Sequence, residues 1–123
     1  MKLLAKRRFN MKLDDKTRLN HILESAQDAI SFLGRMTVDE LDKNKMVLQA
    51  IVRTVEIIGE AASQLSLEHR ESHPEIPWNK IVGMRNRLIH AYFDIDYELV
   101  FSTVKSDIPI LIEQVKRLIS EFT

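Results

Sequence analysis

Apolar residues recur at steps of three and four along most of the chain, which is the spacing of one face of an α-helix. The first such stretch predicts a helix over residues 14–35, capped by Asp14 or Asp15 and ended at Gly34. Its apolar face consists of Leu19, Ile22, Leu23, Ala26, Ile30 and Leu33. Charged and amide side chains occupy the positions between them, so the pattern indicates an amphipathic helix with one buried face.

A second long helix is predicted from about Lys45 to His69. Before it, Thr37 and Glu40 have the spacing of a capping box, which predicts a short helical turn. The apolar stripe of the long helix is Val47, Ile51, Val55, Ile58, Ala62 and Leu65, widened by Met46, Ala50, Ile57 and Ala61. Gly59 lies inside this helix, where glycine costs about 1 kcal/mol relative to alanine. We therefore favour a close crossing with another helix at Gly59 over a catalytic use.

The three prolines of the chain all lie in its second half and indicate where helices begin or end. Pro74 and Pro77 predict an extended connection, and Pro77 suits the first turn of a third helix from Trp78 to about Ile89. The residues expected to be buried on that helix are Trp78, Ile81, Val82 and Leu88 or Ile89. Asp94 and Asp96 are candidate N-caps for a further helix through Val104, and Ser106 or Asp107 for a last helix with Pro109 in its first turn. No stretch alternates like a strand, so the chain is predicted to be all-α, with four to five helices.

Composition places the chain among ordinary globular proteins. Its 123 residues suit a single domain, and 45% of them are apolar and 29% charged. The absence of cysteine excludes disulfides, thiolate zinc sites and a cysteine nucleophile, and it suits a reducing cytoplasm. A net charge of zero argues against nucleic-acid binding through overall charge. The longest apolar run near the C-terminus, residues 108–112, is far shorter than the roughly 20 residues of a membrane-spanning helix.

Positive charge is concentrated at the start of the chain. Residues 1–18 contain seven lysines and arginines against two aspartates, an excess of five positive charges. The first residues have no apolar segment typical of a secretory signal. Met11 is an alternative initiator, so we divide the chain into residues 1–10, a basic extension that need not be native, and residues 11–123, the helical domain.

Residues 84–92 concentrate the side chains that can do chemistry near neutral pH. This segment holds Arg85, Arg87, His90 and Tyr92 within nine residues. Histidine is the usual general acid or base, and the arginine fork matches two phosphate oxygens. Together they supply a base for a ribose 2′-hydroxyl and a cation for the charge on a phosphorane, which is what RNA cleavage without a metal needs. No acidic cluster in the sequence is typical of a two-metal site, and no metal or cofactor is expected.

Helical spacing alone does not bring the two candidate catalytic residues together. On a continuous helix Arg85 and His90 lie about 140° apart around the axis. Asn86 shares a face with His90 and could hydrogen-bond its ring, and Arg87 also lies nearer to His90 than Arg85 does. Either the helix loosens before His90 and the long Arg85 side chain wraps round to it, or a second subunit helps to complete the site. The same residues are also typical of a helix end with a structural histidine and solvated arginines.

These residues carry a resemblance to a known family. Arg85, His90 and Tyr92 are spaced as Arg-x4-His-x-Tyr, which resembles the signature of HepT-type HEPN toxins. The flanking segments 57–62 and 76–78 are similar as well. The resemblance covers about residues 11–122 and implies an antiparallel, HEPN-like helical bundle that forms a homodimer with the two motifs facing one cleft.

The resemblance also implies an activity and a partner. It implies a metal-independent endoribonuclease that cleaves tRNA or mRNA, with Arg85 and His90 as the catalytic pair and Asn86 as the polar residue after the arginine. On its spacing to His90, Arg87 is expected to support the site together with Asn86. Such a protein is the toxin of a type VII-like toxin–antitoxin pair. Its antitoxin is an MNT-type nucleotidyltransferase, which forms a complex with the toxin and attaches AMP to the motif tyrosine, here Tyr92.

One alternative from a different class stays open. The chain could be a non-catalytic helical subunit that binds nucleotide or substrate for a minimal nucleotidyltransferase. Arg85 would then hold a phosphate and His90 would be structural. The two hypotheses differ in whether RNA is cleaved.

Overall fold

The computed structural model describes the backbone of residues 2–90 and 94–122 and the side chains of residues 14–90 and 94–122. Within these ranges all regular elements are helical, which confirms the all-α prediction. They are α1 (Lys2–Leu33), α2 (Val38–Asp42), α3 (Lys45–Ser63), α4 (Leu67–Ser72), α5 (Trp78–Val82), α6 (Met84–Leu88), α7 (Tyr97–Ser102), a π-helical segment (Thr103–Asp107) and α8 (Ile108–Ser120). Several of the four to five predicted helices are divided into shorter segments, whereas α1 is longer than predicted. No helix in the described part of the chain has both the length and the apolar character to cross a membrane.

Helices α1, α3 and α8 form the centre of the fold. α1 packs mainly against α3 and then against α8. Asp15 near the start of the described side chains of α1 contacts Ser66 just beyond the end of α3, so these two helices run antiparallel. Fully buried side chains from all three helices meet between them: Leu19, Ile22, Ile51, Val55, Ile58, Ile108, Val115 and Leu118. The bundle therefore has one continuous core.

The predicted signals around the first helix end are confirmed. Gly34 has a φ of 55°, a left-handed conformation that glycine adopts without steric cost and that ends α1. The Thr37 hydroxyl then accepts the Glu40 N–H at 3.2 Å, and the Glu40 carboxylate accepts the Thr37 N–H at 3.0 Å. This capping box starts α2 as predicted.

The predicted start of the first helix is wrong. α1 begins at Lys2, so neither Asp14 nor Asp15 is its N-cap. The residues before Asp14 include lysine, leucine, arginine and methionine, which favour helix, and no proline or glycine interrupts them. Asp15 is instead buried inside the helix, with 5% of its surface exposed.

We expect Asp15→Ala to lower the free energy of unfolding by about 2 kcal/mol, because it leaves polar groups of Ser66 without their partner. The Asp15 carboxylate accepts the Ser66 backbone N–H at 2.8 Å and the Ser66 hydroxyl at 2.6 Å. Urea denaturation would measure the loss. Asp14→Ala is the matched control, since Asp14 is exposed and its replacement should change stability by less than about 0.5 kcal/mol. Equal losses in the two variants would contradict the role of Asp15.

The second long helix ends earlier than predicted. α3 stops at Ser63 rather than at His69, and α4 begins after Ser66. The Ser66 hydroxyl accepts the His69 N–H at 3.1 Å, which makes Ser66 the N-cap of α4. Asp15 holds Ser66 in this position. A tertiary contact therefore ends α3 at a point where the apolar periodicity alone predicts that the helix continues.

The chain runs from α7 to α8 without a break in helical structure. Asp96 caps α7 by accepting the Leu99 N–H at 3.0 Å, as predicted for one of the two aspartates. Asp107 occupies the N-cap position of α8, as predicted for one of the two candidates, but its side chain makes no capping hydrogen bond. The chain continues through a π-helical turn, in which the Ile108 N–H donates to the Thr103 carbonyl. This wider turn leads Pro109 into the first turn of α8, where proline needs no hydrogen-bond acceptor.

Three apolar residues predicted to be buried are exposed. The exposed fraction is 40% for Ile30, 80% for Met46 and 38% for Val82. The other residues of the predicted stripes are buried or partly buried. Periodicity marks the face of a helix that packs, but it does not show how far along that face the neighbouring helix extends.

A cluster of rings surrounds His69 between α4 and the end of α8. The His69 ring centroid lies 4.9 Å from that of His73, 6.2 Å from that of Trp78 and 5.9 Å from that of Phe122. Its Nε2 is buried and has no hydrogen-bond partner among the described residues. Burial lowers the pKa of His69 below its ordinary value of 6.5, and the nearby His73 lowers it further, against the opposing effects of Asp15 and Glu121.

This lowered pKa predicts a loss of stability in mild acid. Below pH 6.5 the unfolded chain binds a proton at His69 that the folded chain resists. The stability from neutral His69 is therefore present above that pH and is lost as the pH falls through the lowered pKa. Unfolding free energies measured from pH 7.5 to 5 should decline less steeply in His69→Phe than in the wild type. His21→Gln, on the exposed side of α1, should keep the wild-type slope, and equal slopes for all three proteins would contradict the prediction.

Candidate active site

The helix that carries the arginines is shorter than predicted. The continuous helix expected from Trp78 to Ile89 is divided at Gly83 into α5 and α6, and α6 ends at Leu88. Ile89 is extended, with φ −118° and ψ 123°. His90 therefore lies outside the helix, and the 140° separation expected on a continuous helix does not apply. The helix does end before His90, as the first of the two explanations requires, but the Arg85 side chain contacts Asn86 and makes no described contact with His90.

Gly59 explains how this segment is held against the bundle. A Cβ atom at Gly59 would lie 2.9 Å from the Val82 carbonyl oxygen, closer than Cβ atoms pack in proteins. The backbone of α3 therefore contacts the carbonyl end of α5 directly, just before the break at Gly83. The predicted close crossing at Gly59 is confirmed.

Two buried residues anchor α6 and leave its charged residues in solvent. Met84 and Leu88 are 6% and 1% exposed, and they lie four residues apart on one face of the helix. Arg85, Asn86 and Arg87 occupy the exposed positions between them. The short helix thus presents two guanidinium groups on the protein surface.

The arginines of α6 have different hydrogen-bond partners. Arg85 Nη1 donates to Asn86 Oδ1 at 3.4 Å, a long bond between two exposed side chains. Arg87 Nη2 donates to the Lys80 carbonyl oxygen at 3.0 Å, which ties α6 to α5 across the break. The expected hydrogen bond from Asn86 to His90 is not seen among the described contacts, because α6 ends before the i, i+4 geometry is complete.

A reversal of the chain brings a carboxylate to His90. The His90 N–H donates to the Asp94 carbonyl and the Asp96 N–H to the Leu88 carbonyl, both at 2.8 Å, around an antiparallel bridge of Ile89 and Ile95. This places Asp96 Oδ2 3.2 Å from His90 Nε2. The imidazole is not sealed in the interior, since 59% of the His90 side chain is exposed.

Asp96 is the neighbour that sequence reasoning missed. It was predicted only as an N-cap, and that prediction is correct, but its contact with His90 depends on the reversal between them. The Leu99 N–H lowers the pKa of the Asp96 carboxyl below its ordinary value, and the hydrogen bond and charge of His90 lower it further. Asp96 is therefore an anion at neutral pH, directly beside the candidate base.

The remaining candidate residues are placed as follows. Tyr92, the predicted site of AMP attachment, lies outside the described residues. No hydrogen bond joins Arg85 to His90 among the described side chains, and both residues are exposed to solvent. The site is an open surface with an imidazole, a carboxylate and a guanidinium on one short segment.

Comparison with known proteins shows the family of this chain. The family model described as Ribonuclease HepT-like matches residues 22–118. The chain belongs to the HepT-like ribonuclease family. The resemblance seen in the Arg-x4-His-x-Tyr spacing is thereby confirmed, and membership supports a ribonuclease activity.

Three relatives match this chain over almost their full length. "Putative RNase MJ1380" of Methanocaldococcus jannaschii is 45% identical over 85% of this chain and 96% of its own. "Putative RNase TTE0752" of Caldanaerobacter subterraneus subsp. tengcongensis is 38% identical over 84% of this chain and 92% of its own. "Probable ribonuclease HepT" of Thermococcus cleftensis is 38% identical over 82% and 92% of the two chains. No solved structure gives a significant match.

Proposed function

We propose that this chain is a metal-independent endoribonuclease, in which Arg85 and His90 are the catalytic residues, and the toxin of a toxin–antitoxin pair. The observation that carries the proposal is the exposed His90 imidazole, directly after the one-turn helix that carries Arg85, in a chain of the HepT-like ribonuclease family. The names of the relatives point to the same activity.

The reaction follows from the chemistry of these two groups. His90 accepts the proton of a ribose 2′-hydroxyl, and the 2′-oxygen attacks the adjacent phosphorus. The bond from phosphorus to the 5′-oxygen breaks, and that oxygen takes a proton from solvent. Arg85 stabilises the negative charge on the phosphorane oxygens. The products are a 2′,3′-cyclic phosphate and a 5′-hydroxyl end.

The α6 neighbours support this reaction without taking part in it. Asn86 contacts the Arg85 guanidinium, which limits the orientations available to that exposed side chain. Arg87 fixes α6 to α5 through the Lys80 carbonyl, so it supports the site through the backbone. Neither side chain contacts His90 among the described interactions.

We further propose regulation and assembly on the basis of the family. The partner is an MNT-type nucleotidyltransferase antitoxin that attaches AMP to Tyr92, two residues after His90 in sequence. A bulky, negatively charged nucleotide there would block the site and repel RNA phosphates. We place the activity in the cytoplasm and in a homodimer, where a second copy could contribute a further guanidinium to the same RNA.

The experiment that tests the activity is RNA cleavage in the presence of EDTA. Purified protein is incubated with total RNA and with tRNA, and the cleavage position is mapped. We expect new 5′ ends that polynucleotide kinase can label without prior phosphatase, because they carry a hydroxyl. A 2′-deoxy substitution at the mapped position should prevent cleavage. An absence of cleavage together with nucleotide binding would favour the non-catalytic binding subunit, and products with 5′-phosphate ends would contradict the reaction.

A further inference from the structure

Asp96 is held in place by contacts that do not involve His90. Its Oδ1 accepts the Leu99 N–H at 3.0 Å, as the N-cap of α7, and its backbone N–H donates to the Leu88 carbonyl at 2.8 Å. These two bonds restrict the position of the carboxylate, and its second oxygen, Oδ2, is the one that faces His90 Nε2 at 3.2 Å. The cap orients this oxygen before any substrate binds.

A carboxylate at this position decides which nitrogen of the imidazole carries the proton. An ionised carboxylate only accepts hydrogen bonds, so His90 Nε2 must be the donor in this contact. In a neutral ring Nδ1 then carries the lone pair and is the nitrogen able to accept a proton. The negative charge of Asp96 also stabilises the imidazolium that forms when Nδ1 takes that proton.

We propose that Asp96 is a positioning residue that holds His90 as the Nε2–H tautomer and directs Nδ1 toward the substrate. This role rests on the proposed function, in which His90 accepts the proton of the ribose 2′-hydroxyl. Asp96 itself contacts neither substrate nor reacting atoms, and it acts through the imidazole. Asp96 thus has two roles, since it caps α7 and orients the imidazole of His90.

Asparagine at position 96 separates these two roles. Asparagine is as good an N-cap as aspartate, so its amide oxygen should keep the bond to the Leu99 N–H. The amide NH2 group then faces His90 Nε2. In the opposite orientation the amide NH2 group would face the Leu99 N–H, and two hydrogen-bond donors would oppose each other. Because an NH2 group can only donate, Asp96→Asn favours the Nδ1–H tautomer and removes the lone pair from the nitrogen that faces substrate.

The first measurement observes the tautomer without substrate. Protein labelled with 15N in its histidine rings is studied by NMR at about pH 9, where an ordinary imidazole is neutral. We expect wild-type His90 to show a protonated Nε2 and an unprotonated Nδ1, and Asp96→Asn to shift the population toward the reverse. Asp94→Asn is the matched control, since the contact of Asp94 with His90 is through its backbone carbonyl. Identical His90 spectra in wild type and Asp96→Asn would overturn the proposal.

The second measurement asks whether the tautomer matters for cleavage. Asp96→Asn should lower kcat by about 10- to 100-fold with little change in KM, because substrate contacts are kept while the base is misdirected. Thermal unfolding at the wild-type temperature would show that the cap is intact. Wild-type kcat in Asp96→Asn would overturn the proposal even where His90→Ala is inactive. If wild type fails to cleave any RNA, the proposed function fails, and the NMR result still decides whether Asp96 sets the tautomer.

Discussion

Replacing His90 with alanine is expected to lower kcat for RNA cleavage by two to four orders of magnitude. A positioned general base contributes about 10²- to 10⁴-fold to a rate, and no other imidazole lies on the described part of the α6–α7 turn. The measurement is kcat on an RNA oligonucleotide that contains one mapped cleavage position, with EDTA present. The fold should be unaffected, since 59% of the His90 side chain is exposed and its contact with Asp96 is at the surface.

His21→Ala is the matched control for this variant. His21 is exposed on α1, and its replacement removes an imidazole without touching the turn that holds His90. Both variants should unfold at the wild-type temperature, and only His90→Ala should lose activity. If His90→Ala retains activity within about threefold of wild type, or if His21→Ala falls equally, His90 is not the base. A ribonuclease contaminant would produce the former pattern, retained activity in His90→Ala, because its cleavage does not depend on this chain's His90.

The sequence predicted the helical class and several helix ends because these depend on neighbouring residues. Gly34 and the Thr37–Glu40 capping box act within a few residues, and both have the predicted roles. The end of α3 was predicted wrongly, because it depends on the contact of Asp15 with Ser66 across 51 positions of the chain. Periodicity cannot reveal such a contact, and it continued the helix to His69.

The same distinction holds for the candidate site: the features that depend on neighbouring residues were predicted, and those that depend on tertiary contacts were not. The Arg-x4-His-x-Tyr spacing, together with the flanking segments, was sufficient to select residues 84–92 and the family. The partner of His90 could not be predicted, since Asp96 reaches the imidazole only through the reversal closed by Ile89 and Ile95. The break at Gly83 was missed as well, because Gly83 was judged as part of a continuous helix, without the contact between α3 and the end of α5.

Gly59→Val is expected to lower the free energy of unfolding by roughly 3 kcal/mol, because α3 and α5 cannot separate without loss of packing. A Cβ atom at Gly59 would lie 2.9 Å from the Val82 carbonyl oxygen and 3.5 Å from the Ile81 carbonyl oxygen. Both obstacles are backbone atoms, which cannot rotate away as a side chain can. The two additional methyl groups of valine must displace the end of α5, and with it the start of α6. Urea denaturation would measure the loss.

Gly59→Ala sets two effects of opposite sign against each other. Alanine gains about 1 kcal/mol of helix propensity over glycine, whereas overpacking at a buried crossing costs about 1–3 kcal/mol. The short distance to a backbone oxygen makes the steric effect the larger one, so Gly59→Ala should destabilise the protein by less than Gly59→Val. Glu60→Ala, at the exposed neighbouring position, should stay within about 0.5 kcal/mol of wild type. A gain of stability in Gly59→Ala would show that α5 can move aside freely, and the arginines of α6 would then owe their position to contacts other than this crossing.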